Sequence, residues 1–336
     1  MTSLAGLIPE AHASGHLLIL PSTNGPVTFS KLAAAWFADV VWFREPSRAV
    51  AARRMAGARF RGVTQPDPVT PGVMSLGERH IVTGPFEVGA PSLARLGIFA
   101  TTAEVYSVAR SDGARDVRGA VPTSYEDRDG IARAFSQALP QGEELRIVQW
   151  MVAVARKTGG GVLADGRHLL VPDPAASVDL SLYAAHALLP GDVLPMLRSL
   201  IATADVSAEQ VTSDGSPRYT LVGGSAYDGS LVVDVQHVDR VPRALGSLDW
   251  RRYGPFAYRL TWMPADPYEL ELERASGLHA IARARMRASL ARLAATLQSR
   301  IGGTLVDEGG FIAAPEELGG RNDFTVGAAP GWRAWV

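Results

Sequence analysis

The chain of 336 residues has no cysteine. That excludes disulfides, thiolate nucleophiles, cysteine-ligated zinc and iron–sulfur clusters together. Lysine is nearly absent too, since only Lys31 and Lys157 accompany 31 arginines. Aromatic residues make up 7% and charged residues 20%, and the formal net charge is −1. Split at residue 174, the first half carries 18 basic and 16 acidic residues and the second 15 and 18. Neither half has the basic excess of a nucleic-acid binder, so a nucleic-acid partner is not expected. No uncharged apolar run approaches the roughly 20 residues of a membrane span. The first 20 residues have no charged leader, and the apolar run Leu17–Leu20 is too short for a signal core. A cytoplasmic location with no membrane contact is the expectation.

What the chain does have is a pattern written twice. Ile147, Trp150 and Val154 lead to Gly159-Gly160, Val162, Leu163, Asp165-Gly166, Leu169 and Pro172. At an offset of 143, Leu290, Leu293 and Leu297 lead to Gly302-Gly303, Leu305, Val306, Glu308-Gly309, Ile312 and Pro315. Each copy reads as an amphipathic helix, a glycine stop and a short apolar hairpin. An internal duplication follows, with units at 1–174 and 175–336, the second ending in a Gly- and Trp-containing tail.

The second unit reads as a strand at 178–182, a helix over 190–201, a hairpin across Asp228-Gly229, an alternating strand at 256–262 and a helix over 278–301. This order suggests an α+β unit of ferredoxin-like type, an antiparallel sheet with helices on one face. The first unit reads similarly, with strands near 16–20, 40–43, 79–86 and 96–108. Ser47 can cap an extra helix to Met55, and residues 65–77 read as a proline-rich connector.

Motifs for chemistry are scarce. His12 and His16 have the i, i+4 spacing of a helical metal pair, but Ser14-Gly15 lies between them, and no metal is expected. His168 aligns with Phe311 and is expected to pack as a ring; His279, opening the last helix, is expected to be partly exposed. Lys157-Thr158-Gly159-Gly160 has its glycines after a helix, the reverse of a phosphate loop. Gly223-Gly224-Ser225 has Tyr227 where a nucleophile elbow needs glycine. Glu269, Glu271 and Glu273 alternate as acids on a strand would, and Glu126-Asp127 read as helix-start charge.

Two arginine stretches remain. Arg53 and Arg54 sit in a run opposed only by Glu45. Arg285 and Arg292 sit in a stretch with no acid from 274 to 300 and lie on the solvent side of their helix. Trp332 and Trp335 close a glycine-rich tail and need a surface to rest on, this chain's own or a partner's. These six residues are the candidate partner-binding set. The expected function is non-enzymatic partner binding or self-assembly, without cofactor. The alternative is an enzyme with its site in a cleft between the repeats; no catalytic residue stands out.

Overall fold

A computed structural model describes residues 8–22, 25–48, 69–114, 116–122, 127–211, 215–270, 272 and 275–321. It is an α+β protein with antiparallel sheets, and it divides into two compact units. One spans residues 1–125 and 129–172; the other spans 173–336 and also takes in residues 126–128.

The first unit is built on a seven-stranded sheet. Its strands are β1 (His16–Pro21), β2 (Trp42–Arg44), β3 (Gly72–Leu76), β4 (His80–Gly89), β5 (Thr102–Arg110), β6 (Gly161–Ala164) and β7 (His168–Leu170). They lie in the order β7-β6-β1-β5-β4-β3-β2. Helix α1 (Gly25–Ala34) follows β1, and α2 (Gly142–Thr158) precedes β6. The β-strand period of two divides the sheet's side chains between its faces. On the helix face, Phe29 of α1 stacks on Tyr106 at 3.9 Å between ring centroids, and Trp150 of α2 meets Phe29 edge-on. The Trp150 indole donates to the Leu32 carbonyl at 3.0 Å, so this large buried ring keeps its polar atom satisfied. On the other face, Leu17, Ile19, Ala103 and Val105 pack with Ile8, Leu93, Leu96 and Ile98. The short helix Ala90–Arg95 supplies part of that cover, so helical residues lie on both faces of this sheet.

The second unit has six strands: β8 (Leu180–Ala184), β9 (Asp205–Val211), β10 (Pro217–Ser225), β11 (Gly229–His237), β12 (Phe256–Met263) and β13 (Thr304–Asp307). Their order is β9-β10-β11-β12-β8-β13. Helix α3 (Pro190–Arg198) follows β8, α4 (Gly277–Ile301) precedes β13, and α5 (Pro315–Arg321) closes the described chain. Ser276 caps α4 by accepting from the His279 amide. Met286, Leu290, Leu293, Ala294 and Leu297 bury one α4 face against Leu182, Leu221, Val233 and Leu260. Tyr183, Leu245, Ala257 and Val306 form a smaller cluster of their own.

The double glycines have separate physical reasons, the same in both units. Gly159 and Gly302 end their helices at φ +70° and +72°, which glycine adopts without strain. A Cβ on Gly160 would lie 2.1 Å from the Ile19 carbonyl oxygen, and one on Gly303 2.4 Å from that of Tyr183. The chain therefore passes against the first strand of each unit where only glycine fits.

Several local expectations change. Ser47–Arg48 is a short strand paired with Val69–Thr70, and the rest of the helix expected to Met55 lies outside the described residues. The connector 65–77 contains β3, and β9 was not expected. Pro267–Leu270 is a 3₁₀ turn, not part of an acidic strand; Glu271 and Glu273 lie outside the described residues. His12 closes a 3₁₀ turn while His16 opens a strand, so the two share no helix face. His168 is exposed although Phe311 is buried, and His279 is buried against the Trp262 ring, 5.0 Å between centroids.

Candidate functional site

In the first unit, polar side chains gather where the N-terminus of α2 meets the ends of β1 and β4. Glu143 and Glu144 occupy the first turn of α2, where the helix dipole favours acids. The His16 Nδ1 accepts from the Asp165 amide at 3.1 Å, which leaves the Nε2 proton to donate to Glu144 at 3.1 Å. Arg118 reaches in from the segment between β5 and α2. Its guanidinium donates to Glu144 at 2.6 Å and to both Asp165 oxygens at 2.5 and 2.7 Å. It also lies 4.9 Å from the centre of the Phe135 ring. Burial alone would raise the Glu144 carboxyl; the bonds from His16 and Arg118 outweigh it and hold it below its ordinary range.

His16, Glu144 and Asp165 place three ligand-type atoms within 4.8 Å of one another. Yet one His16 nitrogen already accepts a backbone proton, and Arg118 supplies the positive charge to both carboxylates. The group is thus closed by its own internal pairs: His16 on β1, the α2 start, the Asp165-Gly166 turn and the Arg118 segment are pinned together. Beside it, His80 faces Asp116 through Nε2 and Glu143 through Nδ1, both at 3.1 Å. Arg110 donates to the same Asp116 at 2.7 Å. Arg118, Asp116 and the two glutamates lie far apart in sequence from His16 and His80, so no spacing signal joined them. The acids read from the sequence as helix-start charge were Glu126-Asp127, not Glu143 and Glu144 in the first turn of α2, so neither glutamate was singled out.

In the second unit, an open cleft of about 490 Å³ lies between α4 and the β10–β11 hairpin. Leu200, Ile201, Thr203, Ser225, Asp228, Met286 and Ser289 line it together with Arg285 and Arg292. Two of the six candidate residues therefore meet in one place. Arg53, Arg54, Trp332 and Trp335 lie outside the described residues. Arg285 approaches Asp228 at 3.4 Å, and its side chain is 59% exposed. Arg292 makes long bonds to the Ala288 carbonyl and to Ser289 Oγ, at 3.4 and 3.3 Å. Ser225 Oγ accepts from the Asp228 amide at 3.0 Å.

The α4 surface continues past this cleft. Leu278, Ile281, Arg285, Ser289 and Arg292 fall within a narrow arc at 100° per residue, so they form one stripe. Its first turns are apolar and open to solvent, with Leu278 82% and Ile281 42% exposed. Tyr227 at the hairpin tip is 89% exposed, and Met263 and Tyr268 are also exposed. Among the described residues no helix is long and apolar enough to cross a membrane. Comparison with protein-family models, curated proteins and solved structures finds no match for this chain.

Proposed function

We propose that this is a non-enzymatic binding protein whose second unit docks an acidic protein partner along the exposed stripe of α4. The observation that carries the reading is the stripe itself: exposed Leu278 and Ile281 continue into Arg285 and Arg292 on one helix face. Exposed aliphatic side chains beside arginines suit a partner helix or strand with apolar anchors followed by acids. The closed internal pairing of the His16–Glu144–Asp165–Arg118 group weighs against chemistry there. A photo-crosslinker placed at position 278, in the protein expressed in its native host, tests the docking. A discrete adduct is expected, and its yield should fall when Arg285 and Arg292 are both changed to Glu. No adduct at 278, or one indifferent to the two arginines, overturns the reading.

We also infer that the two units are copies of one ancestral ferredoxin-like unit enlarged by a hairpin. Support comes from order: β6-β1-β5-β4-β3-β2 and β13-β8-β12-β11-β10-β9 place corresponding elements side by side. A helix follows the first strand in both, and a longer helix precedes the closing strand. The registers support it too. Leu18 pairs with Val162 and Leu182 with Leu305, keeping the 143-residue offset on the closing strand.

A further inference from the structure

We propose that the cleft between α4 and the β10–β11 hairpin is a binding site for a small organic oxyanion, a phosphate ester or a carboxylate, carried on a short aliphatic body. The site shares Arg285 and Arg292 with the docking stripe but does not depend on it. Donors outnumber acceptors at its mouth. Two guanidiniums face one carboxylate, Asp228, and the Arg285–Asp228 contact is long and exposed. Arg292 meets no carboxylate among the described residues. Ser225 and Ser289 each use the hydroxyl oxygen as an acceptor, which leaves the O–H free to donate to an incoming anion. Arginine's planar fork suits carboxylate and phosphate oxygens alike.

The geometry also limits the ligand. Arg285 and Arg292 are two helical turns apart, about 10 Å along the axis, with Ser289 between them on the same face. Arg292 reaches Ser289 and Arg285 reaches Asp228, and both line the one cleft, so one anionic group there can draw on both guanidiniums. Behind them Leu200, Ile201 and Met286 offer an apolar wall. At about 490 Å³ the cleft falls in the range of small-ligand sites, roughly 300–1,000 Å³. A polar head with an aliphatic tail uses both features; inorganic phosphate uses only the first.

The test titrates full-length protein with hexyl phosphate, hexanoate and hexanol, followed by backbone amide NMR. Saturable shifts at Thr203, Gly224, Ser225 and Ser289 are expected with one or both anions, weakening as salt is added. Tighter hexyl phosphate identifies a phosphate-ester site, and tighter hexanoate a carboxylate site. The variant R285A/R292A should bind at least about tenfold more weakly, as expected for losing charged hydrogen bonds. Ser225→Ala, which leaves both arginines in place, should weaken binding by a smaller factor. The site is refuted if neither anion gives saturable shifts at these residues. It is refuted equally if hexanol binds as well as the anions, or if a folded R285A/R292A binds them undiminished. The docking reading is judged separately by crosslinking at position 278, which no anion titration decides.

Discussion

The two units bury their long helices in the same way but treat charge in opposite ways. Trp150 and Val154 in the first and Leu293 and Leu297 in the second are fully buried on the faces of α2 and α4. The first unit then draws charged and titratable groups of both signs inward: Glu144 and Arg156 are buried, as are His16 and His80. The second leaves Arg285 and Arg292 outside on α4, with no acid of their own helix to meet them. One framework thus carries a closed polar interior in one unit and an open basic surface in the other. Similar packing does not imply similar function, because the surfaces and loops that bind are decided separately from the core.

The largest effects should come from breaking the shared part. Trp150→Ala is expected to cost about 3–5 kcal/mol and Leu293→Ala about 2–5 kcal/mol. Hydrogen exchange should lose protection mainly in 16–164 for the first variant and mainly in 180–318 for the second. Uniform loss over both ranges in either variant would show that the units do not open separately.

That shared part was the legible part. Apolar residues at helical spacing, glycines at the stop and turn residues in the hairpin are local signals, and each has a local physical cause. The glycine pair shows why: one residue needs a left-handed backbone and the next has no room for a Cβ, and both demands are written as Gly. β3 and β9 were not legible. β3 lies beside the prolines of 66–71, which look like a connector, and β9 (Asp205–Val211) is an exposed edge strand with no buried alternation to announce it. The candidate site was legible only where it was helical. Arg285 and Arg292 could be placed on the solvent side by period alone. The His16–Glu144–Asp165–Arg118 group could not, because its members are joined by sheet topology and not by spacing.

A sharper contrast comes from the closing turns. At the offset of 143, Asp165 corresponds to Glu308, and each is held by an arginine from the segment between β5 and α2. Arg118 holds Asp165 and Glu144, whereas Arg128 pairs with Glu308. Arg118→Ala leaves the buried Glu144 with His16 as its remaining partner and should cost about 2–4 kcal/mol. Arg128→Ala strips Glu308, a carboxylate less buried than Glu144, and should cost less, about 1 kcal/mol. Urea denaturation of the two variants measures the difference. Equal losses would mean that the first unit's polar interior is no more closed than the second's.

The last effect concerns acid, and it should have opposite signs in the two units. Glu144 lies below its ordinary range in the fold. Its contribution is therefore present above that range and is lost as pH falls through the lowered value. Asp179, at the start of β8, is the reverse. Burial, with Glu308 adding to it, pushes its carboxyl up to about 6 against the opposing bond from the Trp262 amide at 2.9 Å. An acid raised in the fold supports the fold while protonated. Its benefit is full below the ordinary Asp value of 3.8 and is lost as pH rises through about 6. At neutral pH the charged Asp179 then costs about 3 kcal/mol. Asp179→Asn keeps an oxygen for the Trp262 amide and removes the charge. It should raise the melting midpoint by about 6–12 °C near pH 7.5 and leave it unchanged near pH 3.5. Glu144→Gln should lower the midpoint near pH 7.5, and its deficit should shrink as the pH falls below the ordinary glutamate range. An Asp179→Asn protein that melts at or below the parent near pH 7.5 would show that the carboxylate is accommodated by Arg128 and Arg321 after all. The second unit would then manage its buried charge as the first one does.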